Sequence, residues 1–448
     1  MTSLVDGIKV MKKTAAIRFA KRRKLLGERL ANNCLLVVFS GEHNPKNGAS
    51  YRPDSDFYYL TGFEEAGAIA VLYLNNNHLK FIMFIHTNDS SAARWFGPYE
   101  DQEFYSRELE ADFVYPIENA LEFLSPLVVT RNRIYSNRSF DTDNGFNSLL
   151  NRWFGIWLTK CQLELLSLES TVHELRLIKD DYEIKTLKKS AAITVDAGLK
   201  AALECNPGKY EYELEAQILY EFISSGARRP AFATIVASGE NACILHYEKN
   251  NRQLSAGQLV LIDFGAEYEY YASDVSRTYP VNGKFTRQQQ VIYEIVLNTQ
   301  LTVIKQVKPG VSWSFLQQLA VIEITRGLIE FAVLKDLSLT EDQVSALVVS
   351  SFFPHRIGHW IGLEVHDVGS YQLGPGSRLL EAGMVITIEP GLYLPASKEI
   401  SGVWAGLGVR IEDTILVTKT GGEVLTSALP KGVREIEKLM NQQARYKS

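Results

Sequence analysis

The spacing of apolar residues changes character along this chain. Between Cys34 and Ile85 they come in short runs, CLLVVFSG, AIAVLYLN and LKFIMFI, separated by turn-forming residues. Runs of this length, rich in Val, Ile and Phe, predict β-strands. Residues 142–170 read as helix and connector. From Asp180 the period becomes helical. In DDYEIKTLKKSAAITVDAGLKAAL, the side chains of Ile184, Leu187, Ala191 and Val195 share one face. Alternation at period two returns in Gly257–Val281 and Gly383–Thr418. A chain of 448 residues exceeds one compact core, and the change of pattern places two domains at 1–172 and 173–448.

The second part contains an echo. CNPGKYEYELEAQILYEF (Cys205–Phe222) and VKPGVSWSFLQQLAVIEI (Val307–Ile324) align at an offset of 102 residues. Each places Pro-Gly and a polar stretch before an amphipathic helix, and each follows a long helix, Glu183–Leu203 or Gln289–Gln306. Proline cannot continue the first helix, and glycine tolerates the reversal. The echo is either coincidence between two common helix–turn–helix units or the mark of two related α/β halves. In the second case a ligand sits naturally at their junction.

Composition narrows the class. Hydrophobic residues make up 46% and charged residues 22%, ordinary for a globular protein in water. A net charge of −5 gives no sign of nucleic-acid binding. No apolar run approaches the roughly 20 residues of a membrane span. Cys34, Cys161, Cys205 and Cys243 are scattered without CxxC spacing, so neither a zinc finger nor a disulfide framework is expected. That usage fits a reducing, cytoplasmic location. Near the N-terminus Lys12, Lys13, Arg18, Lys21, Arg22, Arg23 and Lys24 form a basic cluster. It reads as the solvated face of a first helix, with Ile17, Phe19 and Leu25 near Leu26 turned inward. An organellar transit peptide is the alternative.

Candidate chemistry lies in the period-two segments. GQLVLIDFGAEYEYYASDVSRTYPV reads as a hairpin turning near Glu267–Tyr270, with Asp263 on one strand and Asp274 on the other. An aspartate in an apolar strand is costly unless paired or metal-bound, and two that converge call for a cation. Taken singly, such aspartates are also turn or capping residues. Glu389 follows the apolar strand of GMVITIEPGLYLP. In GLGVRIEDTILVT, alternation puts Arg410 and Glu412 on one face and Val409 and Ile411 on the other. A structural ion pair is the other reading of that Arg and Glu.

Three of the eight histidines fall within HRIGHWIGLEVHD, His355 to Asp367. Gly358, Gly362 and the β-branched and aromatic residues favour an extended or irregular path. Arg356 stands where the HExxH metalloprotease helix needs Glu. With four carboxylates available, one of these histidines completes five ligands for two divalent ions, which leaves the others for substrate and proton handling. A hydrogen-bonded structural role remains open for each. His246, in ASGENACILHY just upstream, is a plausible rim residue of the same site.

In this order, ASGENACILHY, LIDFGAEY, YASDVSRTYPV, HRIGHWIGLEVHDVG, EPGLY and GVRIED resemble the aminopeptidase P and prolidase group, the pita-bread metallopeptidases. YRPDSDFYYLTGF (Tyr51–Phe63) resembles the signature of the aminopeptidase P N-terminal domain. HWIGLEVHDVG followed by SRLLEAGMVITIEPGLY is more similar to bacterial-type aminopeptidase P than to prolidase. The resemblance implies an α/β (α+β) protein: an N-terminal mixed-sheet domain and a C-terminal pita-bread catalytic domain with pseudo-twofold halves.

It also implies Asp263, Asp274, His359, Glu389 and Glu412 as metal ligands. Asp274 and Glu412 would bridge two ions, Asp263 would bind one, and His359 with Glu389 the other. An oxygen-rich set of this kind suits Mn²⁺, with Zn²⁺ or Co²⁺ as alternatives. His246, His355 and His366 are the implied active-site histidines, with Arg410 supporting the ligand carboxylates and Tyr393 nearby. Glu389 doubles as the carrier of a proton to the leaving nitrogen.

The implied reaction is hydrolysis of the N-terminal Xaa-Pro bond by a hydroxide shared between the ions. An Xaa-Pro dipeptidase is the nearest alternative, and a non-catalytic binding module a more distant one. The implied partners are peptides with proline second and further copies of the chain, as homodimer or homotetramer, without nucleic acid or membrane. One departure is visible: Arg356 and Ile357 stand where relatives usually carry Gly and a small or apolar residue.

Overall fold

The computed structural model describes residues 16–442 except 32, 43–50, 77, 87–99, 132, 138–163, 398 and 401. Lys12, Lys13, Cys161 and most of the segment read as helix and connector lie outside the described residues; the described end of that segment, Glu164–Leu166, is a strand instead. The chain divides into two compact units, Met1–Arg176 and Leu177–Ser448.

The apolar runs of the first unit form strands β1 (Cys34–Phe39), β2 (Ile69–Asn75) and β3 (His78–Ile85). With β4 (Phe113–Pro116), β5 (Arg133–Ser136) and β6 (Glu164–Leu166) they make one sheet in the order β4-β3-β2-β1-β5-β6. β1 runs antiparallel to β2 and parallel to β5, so the sheet is mixed. Every residue of β1 is buried, as its unbroken apolar run requires. Leu35, Val37, Val71 and Phe84 share one core with Leu124 and Val128 of the helix Ala120–Val129.

The basic cluster departs from expectation. Residues 16–27 are helical, with Phe19 and Leu26 buried, but Ile17 and Leu25 are exposed at 53% and 41%. Arg22 and Arg23 are buried instead. Arg22 lies 4.3 Å over the Tyr59 ring. Arg23 donates to Leu60 O (2.9 Å) and Leu109 O (2.7 Å), carbonyls at the C-terminal ends of the helices Ser55–Thr61 and Gln102–Leu109. Such carbonyls lack intrahelical partners and carry partial negative charge, so a guanidinium is well placed there. The flat guanidinium, with five donors, can be buried where a solvated lysine would not be.

The second unit carries helices α1 (Asp181–Glu204), α2 (Glu211–Ser224), α3 (Arg287–Gln306) and α4 (Trp313–Glu330). Asp180 and Glu183 form a reciprocal capping box at the start of α1, as Thr286 and Gln289 do for α3. Both Pro-Gly reversals put glycine in the left-handed region, Gly208 at φ +90° and Gly310 at φ +86°.

Strands β7 (Ile235–Ser238), β8 (Leu259–Phe264) and β9 (Val275–Pro280) form one antiparallel sheet. β10 (Val385–Ile388) pairs with β13 (Asp413–Val417), and β11 (Gly391–Leu394) with β12 (Leu407–Arg410). The expected single hairpin is two pieces. Its tip, Ala266–Tyr268 with Tyr271–Ala272, belongs to a separate small sheet, and Asp274 immediately precedes β9 rather than lying on it. Side chains from β8, β9, β10, β12 and β13 share one core with all four helices. Within it, Arg277 of β9 is fully buried and donates to Asp413 of β13 (2.8 Å) and to Leu429 O (2.9 Å).

Candidate metal centre

Strands and the residues that flank their ends bring four carboxylates to one place. Ile262 and Phe264 are fully buried in the core, so Asp263 between them faces away from it. Val409 and Ile411 do the same for Arg410 and Glu412, as the alternation predicts. Glu389 follows β10, and Glu412 falls in the gap between β12 and β13.

His359 arrives on an extended segment laid along β10. Thr387 N donates to His359 O (2.9 Å), Glu389 N to Ile357 O (2.8 Å) and Ile361 N to Val385 O (3.1 Å). Gly358 permits this approach, because a Cβ there would lie 2.0 Å from Thr387 O. The extended path leaves no helix for an HxxxH zinc motif.

Ligand atoms of Asp274, His359 and Glu412 all lie within 4.8 Å of one another. His359 Nε2 is 3.4 Å from Asp274 Oδ2 and 3.7 Å from Glu389 Oε1. Asp263 and Glu389 line the same cavity, of about 560 Å³, with Asp274, His359 and Glu412. Tested for a cation, the donors fit. Asp263 Oδ1, Asp274 Oδ1 and Glu412 Oε1 are buried, and no hydrogen bond reaches them. Burial and the neighbouring carboxylates push Asp274 and Glu412 well above the usual carboxylate range. Burial, opposed by His359 and Arg410, raises Glu389 to about 7. Crowded buried carboxylates with bare oxygens need positive charge beyond one guanidinium. His359 Nδ1 donates to Trp360 O (3.0 Å), which leaves the Nε2 lone pair facing Asp274 and Glu389. That is the usual support for a metal-binding imidazole.

Residues 185–419 match the model of metallopeptidase family M24, and residues 19–135 that of the aminopeptidase P N-terminal domain. Over 441 residues the chain is 37% identical to the Xaa-Pro aminopeptidase of Escherichia coli strain K12, covering 94% of this chain and 97% of that protein. The chain belongs to metallopeptidase family M24.

Other relatives span comparable lengths. The Homo sapiens Xaa-Pro dipeptidase is 31% identical, over 94% of this chain and 93% of its own. The solved structure of Pseudomonas aeruginosa aminopeptidase PepP matches with a TM-score of 0.88 at 36% identity, covering 96% of this chain and 99% of that one. The fold class read from the sequence, mixed α/β with a separate N-terminal domain and a pita-bread catalytic domain, holds.

The remaining candidate residues lie near these carboxylates. His246, His355, His366 and Arg410 line the cavity, while Tyr393 is buried outside its wall. His355 Nδ1 donates to Arg356 O (2.8 Å), so its Nε2 accepts from Tyr393 Oη (2.9 Å). That hydroxyl accepts in turn from Arg410 Nη1 (2.9 Å). Burial and the Arg410 charge push His355 down to about 4 and keep it neutral. The His366 ring meets His359 edge-on at 4.4 Å. Arg410 also donates to Asp263 Oδ2 (2.5 Å) and to Ser276 Oγ (2.9 Å).

Two contributors escaped the sequence reading. Ser276 Oγ donates to Glu412 Oε2 (2.9 Å) and so links it to Arg410. Thr387 Oγ1 accepts from His359 N (3.1 Å). Ser276 lies two residues beyond Asp274, and period-two spacing alone could have flagged it.

Proposed function

We propose that this chain is a dinuclear metal-dependent aminopeptidase that releases the first residue from peptides with proline second. The convergence of Asp263, Asp274, His359, Glu389 and Glu412 on one cavity, with three of their buried oxygens lacking donors, carries the reading. Likeness to the Escherichia coli Xaa-Pro aminopeptidase supplies the substrate class. Residues 173–448 are then the catalytic domain and 1–172 the accessory one.

In this reading Asp263, Asp274, His359, Glu389 and Glu412 would together hold the two ions. Mn²⁺ suits the oxygen-rich set best. When bound, the ions would lower the pKa of a water toward neutrality and polarise the scissile carbonyl. Arg410, tied to Asp263, Ser276 and Tyr393, holds the ligand carboxylates in place. His366 and His355 stand where they can stabilise charge developing on the carbonyl oxygen, with His246 at the rim. Glu389 carries the proton to the leaving proline nitrogen. A proline amide has no N–H, so a pocket that asks for none has an advantage. Phe232, Ala233, Ile235, Leu245 and Val365 offer apolar cavity wall for the pyrrolidine ring. The resemblance also supports a cytoplasmic homodimer or homotetramer, which sedimentation and cell fractionation test.

An Xaa-Pro dipeptidase is the second reading, favoured by 31% identity to the human enzyme over nearly the full length. Turnover of Ala-Pro and of longer Ala-Pro peptides, with Mn²⁺, Zn²⁺ or Co²⁺, separates the two. Cleavage of the longer peptides is expected. Cleavage confined to Ala-Pro means a dipeptidase. A protein that takes up no metal and cleaves neither is a binding module.

A further inference from the structure

One wall of the cavity is an irregular loop. Between β7 and β8, after a short 3₁₀ turn at Gly239–Cys243, residues 244–252 form neither helix nor strand, yet they place Leu245, His246 and Glu248 at the cavity. Their anchor lies behind them, at the first residue of α2. Glu211 is fully buried. Its Oε1 accepts from Ser238 N (2.7 Å), Ser238 Oγ (2.7 Å) and Asn241 Nδ2 (3.4 Å). Its Oε2 accepts from Tyr247 Oη (2.8 Å) and Arg252 N (2.9 Å). Glu211 N donates back to Arg252 O (3.0 Å).

Among the described residues no lysine, arginine or histidine pairs with this carboxylate. Burying a carboxyl group away from water is tolerable only when its oxygens are hydrogen-bonded. All five donors belong to residues 238–252. The one loop conformation that supplies them is therefore selected, and Tyr247, the residue next to His246, is part of the clamp.

We infer that Glu211 is a positioning residue: through Tyr247 and the 238–252 backbone it holds His246 and Leu245 at the cavity wall. The inference rests on the proposed peptidase reading for its catalytic consequence, but not for its structural one. Glu211→Gln keeps the size and turns one oxygen into an NH₂ group. Each oxygen now receives a backbone N–H, so the new group must confront one of them.

The test compares wild type, Glu211→Gln, Tyr247→Phe, His246→Ala and the Glu211→Gln/His246→Ala double variant. It reads kcat/KM on an Ala-Pro tripeptide, metal content, and amide hydrogen exchange across 238–252. Glu211→Gln is expected to lose about tenfold or more in kcat/KM with metal content unchanged, Tyr247→Phe less. Exchange across 238–252 should quicken by about tenfold in Glu211→Gln while β8 and β10 stay protected. The double variant should be no slower than His246→Ala alone.

Losses that multiply in the double variant, a fully active His246→Ala, or unchanged exchange would each overturn the inference. So would loss of metal from Glu211→Gln. If that variant does not fold, Tyr247→Phe, which removes one hydroxyl, carries the same comparison. If wild type cleaves no Xaa-Pro peptide, the functional reading fails, and the exchange measurement alone decides for or against Glu211.

Discussion

Glu412 lies between two strands, with Oε2 taking a hydrogen bond from Ser276 and Oε1 taking none. An oxygen left bare in a buried carboxylate is a place for a cation. Glu412→Ala should therefore abolish turnover, by about 10³-fold or more, even in metal-supplemented buffer. Elemental analysis of the variant should show lost metal, and near-normal activity would sink the two-ion assignment. His366 is assigned a different role: it lines the same cavity, and its ring meets His359 edge-on at 4.4 Å. His366→Ala should keep its metal and lose about 10²–10³-fold in kcat. A missing ion in that variant would make His366 a ligand.

Asp263, Glu389 and Glu412 drew notice in the sequence because a carboxylate next to isoleucine in an apolar run demands a reason. Glu211 did not. It sits in EYELE among surface acids, and only its contacts reveal that it is buried.

At the scale of elements, a pattern read as solvation turned out to be capping. Arg22 and Arg23 belong to the same charged run as Lys21 and Lys24, yet Arg23 closes the ends of two helices. Sequence shows the charge but not the carbonyls that receive it. The helix Ser55–Thr61 has a related device at its start. Asp54 caps it, and its neighbour Asp56 takes Arg176 at 2.7 Å and His173 at 3.1 Å. Burial opposes ionisation of Asp56, but Arg176 and His173 prevail and hold it below its ordinary value.

A carboxyl depressed on folding stabilises the protein above its unfolded value of about 3.9, and the contribution disappears as pH falls through the folded value. Asp56→Asn should thus cost about 3 kcal/mol at neutral pH. The gap from wild type should close as pH drops below about 3.9. Urea denaturation across that range checks both statements.

For the whole molecule, the carboxylate cluster ties stability to metal. A ligand at about 100 times its Kd adds about 2.7 kcal/mol to the folded state. Chelation should lower Tm by the corresponding amount, and added Mn²⁺ should restore it. The pH dependence has a definite sign. Burial raises Asp274, Glu389 and Glu412, Glu389 to about 7. Groups raised on folding stabilise below their unfolded values and lose that contribution as pH rises. Chelated protein should weaken as pH climbs from about 4.3 towards 7, and bound metal should suppress the trend. Calorimetry with and without chelator decides it.

Local pattern determined the strands between Cys34 and Ile85, the long helix from Asp180, the helix caps at Asp180 and Thr286, the Pro-Gly reversals and which faces of the strands carry charge. Each of these depends on neighbours a few residues away, through side-chain period, backbone sterics and capping hydrogen bonds. Tertiary structure decided the rest. It broke the expected hairpin before Asp274, buried Arg23 on distant carbonyls and laid His359 along β10. It also set five donors around Glu211. Those outcomes depend on groups tens to more than a hundred residues apart in sequence, whose burial and pairing only the folded chain can specify.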